Sequence, residues 1–141
     1  MRRWPSDDDT LRRIFDTGRT WAVVGCSPDP TRDSQRVAAY VQALGYRVIP
    51  VRPDCDEILG ERCYPTLASI PADTPVDVVD VFRQSSAAGG HVDEAIALGA
   101  RAVWLQLGVI DEAAATRASS AGLDVAMDRC PKIEHPRLYG R

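Results

Sequence analysis

Five short apolar runs, spaced along the chain with helix-like segments between them, limit the fold more than any other feature. They are Trp21-Ala22-Val23-Val24, Val48-Ile49-Pro50-Val51, Val76 to Phe82, Ala102 to Leu107 and Leu123 to Met127. Each reads as a strand, and the segments between them carry apolar residues at helical spacing. Strand, helix, strand in regular succession predicts an α/β fold: a single Rossmann-like domain with a five-stranded, mainly parallel sheet and helices on both faces.

The punctuation supports this division. Asp7 to Asp9 can cap a first helix over about 7–18, with Leu11, Ile14 and Phe15 on one face. Ser34 can cap a second, carrying Val37, Val41 and Leu44 and stopping at Gly45. Ser85 or Ser86 can cap a third, with Val92, Ala95 and Ile96, ending at Gly99. Asp111 opens an alanine-rich fourth helix to about Ala121, closed by Gly122. Pro50 removes a ladder donor, so its strand belongs near an edge. Arg52 to Thr74 reads as a long connection with one short helix around Thr66 to Ile70, and 128–141 as a polar tail.

Length and composition set the class. At 141 residues the whole span 1–141 is expected to be one domain, long enough to bury a core without disulfides or a metal. The 45% hydrophobic and 26% charged fractions are those of a globular protein. A net charge of −3 offers no general attraction to nucleic acid or to acidic membranes. No apolar run is long enough for a membrane helix, and Met1 to Asp9 lacks the apolar region of a signal peptide. The four cysteines form no CxxC pair and have no histidine at metal-ligand spacing, so reduced thiols in a cytoplasmic protein are expected. Asp77, Asp80 and Asp124 fall on strands at a spacing that makes neither a metal cage nor an acid–base pair, and no catalytic or metal-ligating set is assigned.

In open parallel sheets, ligands bind beyond the carboxyl ends of the strands, where strand order reverses. Those ends present Gly25, Cys26, Ser27 and Pro28 after the first strand, and Arg52 and Pro53 after the second. Phe82 and Arg83 follow the third, and Gln106 and Gly108 the fourth. Small, polar and cationic residues suit a phosphorylated ligand. Only Gly25 of a GxGxxG pattern is present, but the proline-rich loop feeds a helix amino end near Ser34 and Arg36, with Arg32 just before it. NAD enzymes place an acid after the second strand to hold the ribose diol; here Arg52 stands there, 27 residues beyond Gly25. An arginine favours a ribose that carries phosphate. Coenzyme A and NADP both meet that description.

Several pieces, in order and at consistent spacing, carry a family resemblance. They include Val24-Gly25-Cys26-Ser27-Pro28, Gly45 to Val51, Ile58-Leu59-Gly60-Glu61, Tyr64-Pro65 with Ile70-Pro71, and Val79 to Arg83. Ala102 to Gly108, and Met127 to Cys130 followed by Lys132-Ile133-Glu134-His135, extend it, so that it spans about Leu11 to Leu138. The chain resembles the small stand-alone CoA-binding proteins related to the N-terminal domain of the succinyl-CoA synthetase α subunit. The resemblance implies binding of coenzyme A or an acyl-CoA, with the pyrophosphate near the first loop and the adenosine end near the second strand. Where relatives often read Val-Asn-Pro, this chain has Val51-Arg52-Pro53. The ligases of this superfamily also need a phosphorylated histidine and an ATP-grasp partner. Ligase activity is therefore not expected, and binding without catalysis is.

The alternatives are an NADP-linked or thiol-based redox enzyme, and a regulatory interaction module stabilised by its nucleotide. Cys26, near a helix amino end, and Cys130 are candidates for a redox-sensitive thiol or a mixed disulfide with the CoA thiol; two buried small residues is the favoured reading. Cys55 and Cys63 have no visible partner. His91 and His135 have no nucleophile nearby in sequence, and His135 with Glu134 is read as fixing the tail. Trp21 and Trp104 are read as core. A small-molecule nucleotide ligand is the expected partner; a homodimer or an unidentified protein partner is compatible, though no apolar stripe argues for either.

Overall fold

The computed structural model describes residues 6–140. Met1 to Pro5, which the signal-peptide reading covers, and Arg141 lie outside the described residues. The sheet contains β1 (Thr20–Val24), β2 (Arg47–Val51), β5 (Val78–Val81), β6 (Ala102–Leu105) and β7 (Asp124–Ala126). All are parallel, in the order β2-β1-β5-β6-β7. A small antiparallel hairpin, β3 (Glu57–Ile58) and β4 (Glu61–Arg62), stands apart. The helices are α1 (Asp8–Thr17), α2 (Asp33–Ala43), α3 (Ser85–Leu98), α4 (Glu112–Ser120) and α5 (Pro131–Tyr139). The fold is the Rossmann-like one expected from the alternation.

Each face of the sheet buries its own core. Trp21, Val23, Val48, Val78 and Trp104 meet Leu11, Ile14 and Phe15 of α1 and Val37 and Val41 of α2. Ala22, Val24, Ile49, Val79, Val81 and Val103 meet Ala88, Val92 and Ala95 of α3 and Ala114, Ala115 and Ala118 of α4. Strands covered on both sides must be apolar on both sides, which is why these runs are continuous and do not alternate. The small residues on α3 and α4 let those helices lie close to the sheet and to each other.

Most sequence boundaries hold to within a residue or two. Asp7 caps α1 by accepting from the Thr10 amide, and Asp111 caps α4 by accepting from Ala114. Gly99 closes α3 in the left-handed conformation. β2 is an edge strand, and Pro50 accepts from the Tyr64 amide on its outer side. Its donorless nitrogen therefore faces away from β1, where no ladder bond is lost. The connection from Arg52 to Thr74 holds the β3–β4 hairpin as well as the expected short turn, a 3-10 segment over Leu67–Ser69.

Three expectations need correction. Ser34 does not cap α2: the N-cap is Arg32, with no side-chain cap, and Gln84 rather than Ser85 or Ser86 precedes α3. The polar tail is largely helical. Pro131 opens α5, where its missing N–H costs nothing, and α5 docks on α1 through Arg137, which pairs with Asp8 at 2.7 Å and with Glu134 at 2.8 Å. Phe15 forms edge-on contacts with His135 and Tyr139 at ring-centroid distances of 5.0 and 6.1 Å. His135 is thus part of an aromatic cluster, while Glu134 is held by Arg137. No helix among the described residues is long and apolar enough to cross a membrane.

Candidate ligand site at the strand carboxyl ends

β1 is followed by β2 on one side and flanked by β5 on the other, so strand order reverses between β1 and β5. The two connections leave in opposite directions and open a crevice above Val24 and Val81. Gly25 floors it. Its φ is +84°, and a Cβ there would stand 2.5 Å from the Phe82 carbonyl oxygen, so no other residue fits. Backbone bonds lock the position: Gly25 N–H donates to Val51 at 2.8 Å and Phe82 N–H to Val24 at 2.9 Å.

The loop from Cys26 to Arg32 is pinned by short polar contacts. Ser34 Oγ accepts from the Ser27 amide at 2.9 Å, and Gln35 Nε2 donates to the Ser27 carbonyl at 3.1 Å. Asp29 accepts from both the amide and the hydroxyl of Thr31, which holds its carboxyl below the usual range. Ser34 therefore shapes the loop, while the first amides of α2 carry no side-chain cap and face the crevice with the positive end of the helix.

A cavity of about 420 Å³ lies over this floor. It brings together Gly25, Ser27, Ser34, Arg52, Phe82, Arg83 and Gln106 from the set expected by sequence, and adds Arg32, Asp33, Leu107 and Val109. A smaller cavity of about 80 Å³ adjoins it across Gly25, Arg52 and Arg83. Pro53 lines this one, with Val51, Pro65, Thr66 and Leu67, and with His91, whose Nδ1 lies 2.8 Å from Glu94 Oε1. Arg52 and Arg83 form no ion pair among the described residues, and both border the two cavities. Asp33, the one acid on the larger cavity, faces Arg36 at 4.0 Å, which offsets its charge.

Four expected residues fall outside both linings. Arg36 points to Asp33 from an exposed position on α2, and Pro28 is exposed on the loop. Gly108 turns the chain after β6, where its amide donates to Asp128 at 2.8 Å. Cys26 is fully buried beneath the loop, and burial pushes its thiol up to about 12. Its nearness to a helix amino end does not make it reactive, because desolvation outweighs the dipole. Cys130 is buried as well. Thr66, Leu67, His91 and Glu94 were not expected; they come from the long connection and from α3, and only the folding of that connection over β2 brings them in. The described residues contain no group able to hold a metal ion.

Below the site, Asp80 of β5 is wholly buried, and neither carboxyl oxygen has a hydrogen-bond partner among the described residues. Burial raises its pKa well above 3.8, because no partner offsets the loss of solvent around the carboxyl.

Comparison with known proteins agrees with this fold. The chain is 37% identical over 125 residues to the uncharacterized protein YneT of Bacillus subtilis, covering 89% of this chain and 91% of that one. A solved structure of a hypothetical protein from Pyrococcus horikoshii superposes with a TM-score of 0.90 at 37% identity, over 99% of this chain and 98% of that one. An acetyl-coenzyme A synthetase from Ca. Korarchaeum cryptofilum, solved with phosphate and ADP, matches 84% of this chain with a TM-score of 0.70 and 26% identity, through 27% of its own length. The family model described as a CoA binding domain matches residues 19–136, from the start of β1 into α5, and the chain belongs to that family.

Proposed function

We propose that the protein binds coenzyme A or an acyl-CoA in the crevice between β1 and β5 and acts as a carrier, sensor or partner subunit without catalysis of its own. The observation that carries this reading is the pair Arg52 and Arg83, unpaired and flanking Gly25, opposite the uncapped amino end of α2. Three donor groups of one sign around a neutral floor match a ligand with phosphates at two places.

In this reading the pyrophosphate lies against the α2 amides and Ser27. The phosphorylated ribose meets Arg52, and the adenine enters the smaller cavity over Val51, Pro53 and Leu67. The pantetheine arm then leaves past Gln106, Leu107 and Val109 towards solvent. With Cys26 buried and its thiol at about 12, a redox mechanism at that residue has no support. A reducing cytoplasm suits the four free thiols, and we include that location in the proposal.

A thermal-shift comparison of CoA, dephospho-CoA and NADP tests the reading. CoA is expected to stabilise the protein strongly and dephospho-CoA weakly. Strong stabilisation by NADP with none by CoA would show that the site serves a dinucleotide.

A further inference from the structure

Three of the four cysteines gather near the ligand crevice, Cys26 from the end of β1 and Cys55 and Cys63 from the long connection after β2. Asp54 takes a left-handed φ of +64°, bending the chain back after Arg52-Pro53 and into the β3–β4 hairpin. The Cys63 amide then donates to the Asp56 carbonyl at 2.8 Å, which sets Cys63 across from the residue next to Cys55. The Cys55 thiol donates to the Glu57 carbonyl and the Cys63 thiol to the Arg52 carbonyl, each at 3.6 Å. Cys55 is half-buried and open to small oxidants, whereas Cys63 is buried and Cys26 is sealed beneath them. Burial raises the Cys63 thiol, and the adjacent Cys55 side chain holds its proton on further. These cysteines had no visible partner in the sequence; the fold supplies one.

We propose that Cys55 and Cys63 are a reversible disulfide-forming pair, closed by a peroxide and reopened by a small thiol, built against the backbone of Arg52. Cys55 sulfur attacks the peroxide, the O–O bond breaks, and a sulfenic acid and one water form. Cys63 sulfur then attacks the sulfenyl sulfur, the S–O bond breaks, and the hydroxide leaves as a second water with the Cys63 proton. The two thiols lose two electrons and the peroxide gains them. Reopening by a dithiol returns both thiols and leaves the reductant as its own disulfide. Closing the bond withdraws the Cys63 donor from the Arg52 carbonyl, so the oxidised loop must hold Arg52 differently.

Peptide mapping of the whole protein after hydrogen peroxide tests this without any ligand, so its outcome is separate from that of the CoA reading. Trypsin cuts after Arg47, Arg62 and Arg83 but not between Arg52 and Pro53, which puts Cys55 in peptide 48–62 and Cys63 in peptide 63–83. The expected product is these peptides joined, lighter by two hydrogens than their sum and separated again by dithiothreitol. It is lost in C55S and in C63S and retained in C26S and C130S. Cys55 oxidised to sulfinic acid with no joined peptide, or Cys63 joined instead to Cys26, would overturn the proposal.

Discussion

Arg52 and Asp80 show how differently two charged residues can be read before the fold is known. Arg52 follows a strand, and strand ends in a parallel sheet converge on one rim, so its place beside the crevice was legible from position alone. If it holds the ribose phosphate, Arg52→Ala weakens CoA binding by about 10-fold or more, the worth of a charge-assisted hydrogen bond, and leaves dephospho-CoA binding nearly unchanged. Calorimetric titration of both ligands measures the difference; an equal loss for both would place Arg52 elsewhere. Asp80 could be read only as an acid on a strand. It lies inside β5 between Val23 and Trp104, unpaired, because register is set by neighbouring strands that lie far away in sequence.

The folded state keeps the Asp80 proton at pH values where the unfolded chain has released it. Below about 3.8 both states are protonated and only the pH-independent cost of the unpaired carboxyl remains; as pH rises through and above that value, stability falls further. Asp80→Val, similar in size and apolar, should therefore stabilise the protein by on the order of 1–3 kcal/mol at neutral pH, and progressively less towards pH 4. Melting temperatures of the two proteins across that range decide it. A difference that does not change with pH would mean that the carboxyl ionises alike in both states.

At the level of elements, the apolar runs and the glycines that end helices gave boundaries close to those found, because local pattern and tertiary burial agree there. They disagree at α5. Its composition is polar and it carries Pro136 in its interior, so periodicity is weak; docking on α1 makes it a helix. Pro131 at its first position and Gly140 at its end were signals that could have been used. Ser34 looked like a cap from its type and place but serves the preceding loop, since Ser27 N–H reaches it first. The crevice also depends on β1 and β5 approaching as closely as Gly25 allows. Gly25→Ala introduces a Cβ against the Phe82 carbonyl and a side chain at φ +84°, and should cost about 1–3 kcal/mol in chemical denaturation and abolish ligand stabilisation. Normal stability together with normal CoA binding in this variant would remove the floor from the site.

For the molecule as a whole, alternation along the chain implied the layers but not the strand order, and the strand order locates the crevice. The cavities also draw on the long connection, whose path over β2 has no periodicity to read. A ligand that binds only the folded state stabilises it by about 2.7 kcal/mol at a concentration 100 times its dissociation constant, so binding is visible in bulk unfolding. Replacing Cys26 by serine should leave that stabilisation intact, because the thiol is buried and held protonated. Loss of CoA-dependent stabilisation in C26S, with the unliganded melting temperature unchanged, would return the thiol to the mechanism.

The most direct measurement is native mass spectrometry of the protein mixed with equimolar CoA, dephospho-CoA and NADP. One CoA per chain is expected as the dominant complex, with the other two ligands at the level of nonspecific adducts. A dominant NADP complex, or no CoA complex at concentrations that saturate ordinary nucleotide sites, would contradict it.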